Sequence, residues 1–533
     1  MNQETAGVVY TKPWVAGLML DMAGYVEGSD RLLSQHLVVE PSCGDGVFLS
    51  EIIRRLIADS HPATKEEWAQ LSDAVRAYDI DAQATASCRE TSIRMLQDSG
   101  CPYDIAQDLA DCWINNADFL LSRIPKADWV VGNPPYIRAT DMDAAIRDRY
   151  MAVNDSMTAG TDIYVGFFDH GIDALKPDGR LCFICSDRWL QNQYGTRLRE
   201  KVATEANFDT LVRMHGVDAF VEEVDAYPAI TLITKSSPSS SLKYADCVTD
   251  FTDSDVSSLL AWLGSPSNIA SARFSATVAR KPQYPSDMFP LGAPDDMRFV
   301  MQAQERLPKL ESTGVNLGIG IATGCDAVFI TDDPNLVEKD RMLPLFYMRD
   351  HRRHIDKQRW LVNPWNPDGS LVDLDNYPIM KAYFNENRAK LTKRHIAKRN
   401  ASAWYRTIDK LNPTLMHRDL LLMPDMAALP DPILSYGKYP HHNCYWISSD
   451  VWDLRVLGGL LMSEQTKTFI DCLGVKMRGR TLRFQAQYLR LLHVPRYRDI
   501  TAKTRDALAC AFDTDDRELA TASARQAYLG GLS

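Results

Sequence analysis

The sequence predicts an α/β protein built on a mainly parallel sheet with helices on both faces. Three observations predict it. Short apolar runs alternate with helix-like runs as far as about Lys235. The apolar runs lack the in–out alternation of a half-exposed sheet, as strands buried on both faces do. A Gly-rich turn separates the first strand from the first long amphipathic run, the start of a strand–turn–helix unit.

Leu37-Val38-Val39-Glu40 reads as the first strand. The turn at Cys43-Gly44-Asp45-Gly46 follows, then the amphipathic VFLSEIIRRLIADS. Ala74 to Tyr78 is a second strand ending at Asp79, with the polar insert HPATKEEWAQLSD before it. Asp128-Trp129-Val130-Val131 is another, closed by a turn at Gly132-Asn133-Pro134-Pro135. Lys176-Pro177-Asp178-Gly179 turns into the strand LCFICS, and Ala229 to Ile233 completes the pattern. Cys182 and Cys185 form a CxxC inside that apolar strand, so burial explains them better than a metal or redox site. Ser236 to Ser241, SSPSSS, has linker composition. It sets the expected domains at 1–240 and 241–533.

A chain of 533 residues exceeds one ordinary core. Its 45% hydrophobic and 24% charged content are those of a globular protein. No apolar run of about 18 residues and no signal-like N-terminus is seen, so a cytoplasmic protein without membrane association is expected. The net charge of −11 argues against indiscriminate binding of polyanions. It allows nucleic-acid binding through a concentrated basic surface. The second half supplies Arg349 to Trp360, Arg388 to Asn400 and Lys476 to Arg483, interleaved with aromatic residues. Arg388, Lys390, Lys393, Arg394, Lys398 and Arg399 are the expected phosphate contacts. A solvated helix face is the alternative reading of such a run.

Candidate site residues gather at the strand ends. A Gly turn lets backbone approach a ligand at the carboxyl edge of the sheet, and a helix N-terminus there can receive a carboxylate. Asp79 is placed to accept both hydroxyl hydrogens of a ribose. Asp118 can accept from an adenine amino group while Phe119 covers the ring; for either Asp taken alone, a helix cap or a solvated loop acid is an equally good reading. In Gly132-Asn133-Pro134-Pro135-Tyr136 the chemistry is that of an activated amine. An adenine N6 lone pair is delocalised into the ring. Two acceptors, the Asn133 side-chain oxygen and the Pro134 carbonyl, would hold its hydrogens and expose the lone pair. Proline fixes that carbonyl, and Tyr136 stacks on the base. No Pro-Cys dipeptide offers a nucleophile for methylation at cytosine C5.

These motifs, in order, resemble the gamma-class, TaqI-like adenine-N6 DNA methyltransferases of restriction–modification systems. VVYTKP (Val8 to Pro13), VVEPSCGDGVFL, AYDID, ADFL, NPPY and VDAFVEEVDAYPAITLITK carry the resemblance. Lys12 departs from the family's usual Tyr-Thr-Pro. Beyond residue 240, LGIGIATGCDAVFIT, SYGKYPHHNCYWIS and RFQAQYLRLLHVP are similar to blocks of the family's target-recognition domain.

The resemblance implies a Rossmann-like class I methyltransferase domain with a seven-stranded sheet, followed by a mixed α/β target-recognition domain. It implies S-adenosylmethionine as cofactor, held by Thr11, Pro13, Glu40, Pro41, Cys43, Gly44, Gly46, Asp79, Asp118, Phe119 and Asn133. Asn133, Pro134, Pro135 and Tyr136 form the catalytic motif. Phe220, with Tyr227 second, supplies the aromatic on the other face of a flipped base. The leaving group starts cationic, so neither a general acid nor a metal is called for. The expected partners are double-stranded DNA and, genetically, a cognate restriction endonuclease; a monomer is expected. Three alternatives remain at this point: a non-catalytic DNA-binding protein that has kept the fold, against which the complete motif set argues, and two enzymes. One is an NPPY methyltransferase acting on RNA or on protein glutamine. The other is a fused restriction–methylation enzyme. The first motif begins within ten residues of the start, which leaves no space there for a nuclease.

Overall fold

The computed structural model describes residues 7, 9–222, 227–266, 271–282, 287–474 and 482–532. The chain forms two compact units, Met1–Arg298 and Phe299–Ser533.

The first unit is built on a nine-stranded sheet of order β3-β2-β1-β4-β5-β7-β6-β8-β9. Its strands are β1 Val38–Glu40, β2 Val75–Asp79, β3 Ile114–Asn116, β4 Ala127–Gly132, β5 Leu175–Ser186, β6 Asn207–Arg213, β7 Pro228–Thr234, β8 Ser241–Cys247 and β9 Phe274–Arg280. β1 pairs in parallel with β2 and β4, Val38 lying opposite both Val75 and Trp129. β4 pairs in parallel with β5, and β7 runs antiparallel to β5 and β6. Helices α1 (Pro13–Ala23) and α2 (Val47–Ser60) pack together against the central strands. Trp129 is buried there and donates from Nε1 to the Ala23 carbonyl at 3.0 Å.

Strand order reverses between β1 and β4, and such a reversal opens a crevice outside the carboxyl ends of the strands. Glu40, Asp79, Gly132 and Ser186 end their strands at that edge. Cys182 and Cys185 are buried in β5, and burial pushes both thiols up, so neither is a reactive thiolate.

Two sequence expectations change. The sheet has nine strands, not seven, because β8 adds in parallel to β6 and β9 closes an antiparallel hairpin on it. Ser236 to Ser241 is therefore an exposed turn from β7 to β8 within one sheet, passing over the end of β6, and is held by Ser239 N donating to Asn207 Oδ1 at 2.9 Å. The division lies at 298/299 rather than at 240, since a Ser-rich turn and a Ser-rich linker have the same composition.

The second unit is mixed α/β, with two four-stranded sheets. One has the order β10-β18-β14-β16 (Val315–Ile319, Cys444–Ser449, Leu420–Pro424, Ile433–Ser435) and is antiparallel. The other has the order β11-β13-β12-β17 (Ile330–Thr331, Arg359–Val362, Met342–Phe346, Tyr439–Pro440). A helical group follows, Leu454–Leu461, Glu464–Leu473, Ala502–Asp513 and Arg517–Leu532. Among the described residues, no helix is long and apolar enough to cross a membrane.

Candidate active site

The turn after β1 is shaped by two glycines in the left-handed region, Gly44 at φ +50° and Gly46 at φ +81°. Gly46 is the residue before α2, and a Cβ there would meet Cys88 Sγ at 3.0 Å. A Cβ on Gly44 would stand 3.6 Å from the Tyr10 ring. Gly44 N donates to Asp79 Oδ2 at 2.9 Å, and Asp81 N donates to Asp79 Oδ1 at 2.9 Å. Asp79 thus ties the ends of β1 and β2 and keeps acceptor capacity, since a carboxylate has about four lone-pair sites.

Glu40, at the end of β1, is 1% exposed, and neither carboxylate oxygen has a hydrogen-bond partner. Burial pushes its carboxyl well above the ordinary range. A buried acid left without a donor is costly, so it calls for an explanation, and a bound ligand is one.

The catalytic-type loop leaves β4 at Gly132, where a Cβ would stand 3.1 Å from Pro41 Cδ, so the two turns touch. Ser42 Oγ donates to the Asn133 carbonyl at 3.0 Å. Asn133 Nδ2 donates to the Val9 carbonyl at 2.9 Å and to Thr11 Oγ1 at 3.1 Å. A carbonyl can only accept, so these contacts fix which way the amide points. Its Oδ1 faces away, buried and without a partner. Pro134 is buried; Pro135 and Tyr136 are half-buried.

The N-terminal segment reaches this edge through a single antiparallel bridge. Lys12 N donates to Ala219 O at 3.0 Å and Val221 N to Tyr10 O at 2.9 Å, which sets Thr11 against Phe220. Lys12 also pairs with Asp218. The departure from the family's usual residue is therefore accommodated by an ion pair. Pro13 opens α1. Phe220 is 6% exposed and meets Tyr136 edge to face, centroids 6.3 Å apart. Tyr227, in contrast, already carries the Arg188 guanidinium 3.9 Å over its ring. Phe220 carries no such cation, but its ring is packed into the core beside Tyr136.

Asp118 caps a short helix by accepting from Leu120 N at 3.0 Å, and its Oδ2 accepts from the Tyr150 hydroxyl at 2.9 Å. Phe119 departs from expectation. It is 2% exposed, stacked on Phe167 at 5.4 Å and edge-on to His170 at 5.0 Å. Its ring is committed to the core and sets the position of Asp118.

With this geometry in view, the comparisons with known proteins are direct. Residues 90–220 match the model of the Eco57I restriction-modification methylase family. The chain is 36% identical to the type II methyltransferase M.XhoI of Xanthomonas vasicola over 98% of its length and 97% of that protein's. It is 36% identical to M.PaeR7I of Pseudomonas aeruginosa, covering 95% and 88%. It is 34% identical to M.BstVI of Geobacillus stearothermophilus, covering 94% and 92%. The chain belongs to the type II methyltransferases.

The methyltransferase is thus a DNA methyltransferase of a restriction–modification system, and its donor is S-adenosylmethionine. In fold it matches a nuclease-deletion mutant of the Type ISP restriction-modification enzyme LlaGI, with a TM-score of 0.50 and 12% identity. That match covers 95% of the methyltransferase and 46% of the longer chain. The first unit is an α/β methyltransferase domain on a large, mostly parallel sheet. Its residues fit the donor: an orphaned buried carboxylate at Glu40 for a cationic group, and a turn at Gly44 whose left-handed backbone, φ +50°, favours glycine.

Sequence reading missed Tyr10, whose ring lies over the Gly turn, and Tyr150, which holds Asp118. An aromatic inside VVYTKP was the one available signal for the first; nothing local marks the second. In the second unit Arg388, Lys390, Lys393, Lys398 and Arg399 are exposed, as a phosphate-contacting surface requires. Arg394 corrects the expectation. Its guanidinium donates to the carbonyls of Leu391, Thr323 and Trp404 at 3.0, 2.9 and 2.8 Å and lies against Phe329. It has been consumed in folding the unit. Most of the basic run Lys476 to Arg483 lies outside the described residues.

Proposed function

We propose that the methyltransferase modifies the N6 amino group of an adenine flipped out of a short duplex sequence, protecting host DNA from a cognate endonuclease. The observation that carries this reading is the Asn133 side-chain oxygen, a buried acceptor with no partner at the end of β4. A partnerless buried amide oxygen costs roughly 1–3 kcal/mol. An amino hydrogen of the target base would satisfy it.

S-adenosylmethionine supplies an electrophilic methyl group on a sulfonium sulfur. Glu40 receives the donor's positive charge, Asp79 accepts its ribose hydroxyls, and Asp118 accepts its adenine amino group. Thr11 and Pro13 close the N-terminal segment over it, with Tyr10 over the Gly44 turn. Asn133 Oδ1 and the Pro134 carbonyl hold the two N6 hydrogens of the target. The lone pair would then be drawn out of the ring toward the methyl group; the N6–C bond would form as the sulfonium C–S bond breaks, the thioether would leave neutral, and one N6 proton would pass to solvent. N6 cannot be reached within the stack, so the base must leave the duplex, at a cost of a few kcal/mol. Tyr136 and Phe220 offset that cost by stacking. Their rings touch edge to face, so one must swing aside to admit a base. Positioning supplies most of the rate. The second unit acts as the target-recognition domain, with Arg388, Lys390, Lys393, Lys398 and Arg399 on phosphates.

The test is to incubate duplex DNA with the protein and donor, digest it to nucleosides and identify the methylated one. N6-methyladenine supports the reading. N4-methylcytosine, whose amino group suits the same two acceptors, or an unmodified digest overturns it.

A further inference from the structure

In the second unit, one ligand atom each from Asp326, His441 and His442 lies within 4.8 Å of the other two. His441 is 0% exposed, and neither ring nitrogen has a hydrogen-bond partner. Nε2 lies 3.2 Å from Asp326 Oδ2, near enough for an ion pair but without hydrogen-bond alignment. Nδ1 of His442 is also buried and unpartnered. Buried polar atoms are rarely left so. One nitrogen from each ring, beside the Asp326 carboxylate, makes a donor set for a shared electropositive partner.

The surroundings are those of a prepared site. The Thr323 hydroxyl donates to Asp326 Oδ1 at 2.5 Å, which leaves Oδ2 turned toward His441. Hydrogen bonds of this kind orient metal-binding carboxylates. The backbone is held as well. Ile321 N donates to Pro440 O at 2.9 Å and His442 N to Ile321 O at 3.1 Å. A Cβ on Gly320 would stand 2.2 Å from the His441 carbonyl, so only glycine permits this approach.

Placement in the fold gives the cluster a purpose. Asp326 lies on the connection from β10 in one sheet to β11 in the other. His441 and His442 form the connection from β17 back to β18, again between the two sheets. The two crossings meet at these three side chains.

We propose that Asp326, His441 and His442 bind one divalent transition-metal ion of the zinc class, with water in the fourth position, and that the ion staples the two sheet crossings. Imidazole nitrogen with one carboxylate suits zinc, cobalt, nickel or copper; magnesium and calcium favour oxygen-only sets. Bonds of about 2.1 Å around a tetrahedral ion place ligand atoms roughly 3.4 Å apart. Small side-chain rotations close the remaining distance.

The full chain, stripped with chelator and dialysed, is titrated with cobalt(II) and then zinc. Expected are one equivalent bound, a visible absorption of four-coordinate cobalt that zinc abolishes, and a rise of several degrees in the unfolding temperature. Asp326→Asn and His442→Gln keep the size of each side chain. Each should weaken cobalt binding at least tenfold while the metal-free unfolding temperature stays near wild type. Absence of uptake and of a thermal shift in the wild-type chain overturns the proposal. So does undiminished binding by both variants, which would move the metal to other ligands, the cysteines included.

Discussion

The carboxyl edge of the first unit and the basic run of the second were both visible as sequence patterns, and they fared differently. At the edge, every motif falls at a strand end or in the turn after it, and the fold brings Thr11, Glu40, Asp79, Asn133 and Phe220 to one border. In the basic run, Arg388 to Arg399, the pattern was charge alone. The fold divided it, leaving Lys398 and Arg399 exposed and drawing Arg394 inward onto three carbonyls. A motif that specifies backbone geometry survives folding as a unit. A run of like charge does not, because each side chain is placed by whatever it happens to face.

The largest effect that would sharpen this contrast is Asn133→Ala. Loss of an acceptor that acts in the transition state should lower kcat by about a thousandfold or more, on the order of 4 kcal/mol. Donor affinity should change little. Retained activity in a methylation assay would show that the orphaned oxygen is only a packing defect.

Asp79→Ala should weaken S-adenosylmethionine binding about 10- to 100-fold by calorimetry, because it removes a ribose acceptor and loosens the Gly44 turn together. Unchanged affinity would place the donor elsewhere.

The basic run divides into two expectations. Arg394→Ala should destabilise the protein by about 1–3 kcal/mol in denaturant unfolding, because the Thr323 and Trp404 carbonyls lose their side-chain donor. Lys398→Glu with Arg399→Glu should leave stability near wild type. That pair should weaken DNA binding about tenfold at low salt, with a shallower salt dependence. If Arg394→Ala instead behaves like the surface pair, the division is wrong.

The smallest expected effect belongs to Glu40. Its carboxyl is raised in the folded state, so the fold holds the proton more tightly than the unfolded chain does. As pH rises above the ordinary carboxylate range, stability is therefore lost until the raised value is reached. Glu40→Gln should raise the unfolding temperature of the donor-free protein at neutral pH and flatten that slope, while weakening donor binding. Equal pH profiles for the two proteins would mean that Glu40 is charged and satisfied in solution.

Much of the first unit was legible because parallel strands buried on both faces need uninterrupted apolar runs, and turns at their ends need Gly, Asn and Pro. The two added strands, β8 and β9, were not legible. Nothing local says that LKYADC pairs with β6 rather than starting a new domain. Phe119 was misread for a similar reason: an aromatic beside an acid looks alike whether it faces a ligand or Phe167. Tyr150 and the meeting of Asp326 with His441 and His442 left no trace in spacing, since each joins residues far apart in the chain.

By itself the sequence determined the strand–turn–helix alternation, the Gly44 and Asn133 turns and the order of the site motifs. These depend on periodicity and on backbone preferences that neighbouring residues set. Only the tertiary structure decided which polar atoms stayed without partners, Glu40 and Asn133 Oδ1 among them, and which arginine was spent inside. Satisfaction of a buried group depends on what distant segments deliver to it, and no local pattern encodes that.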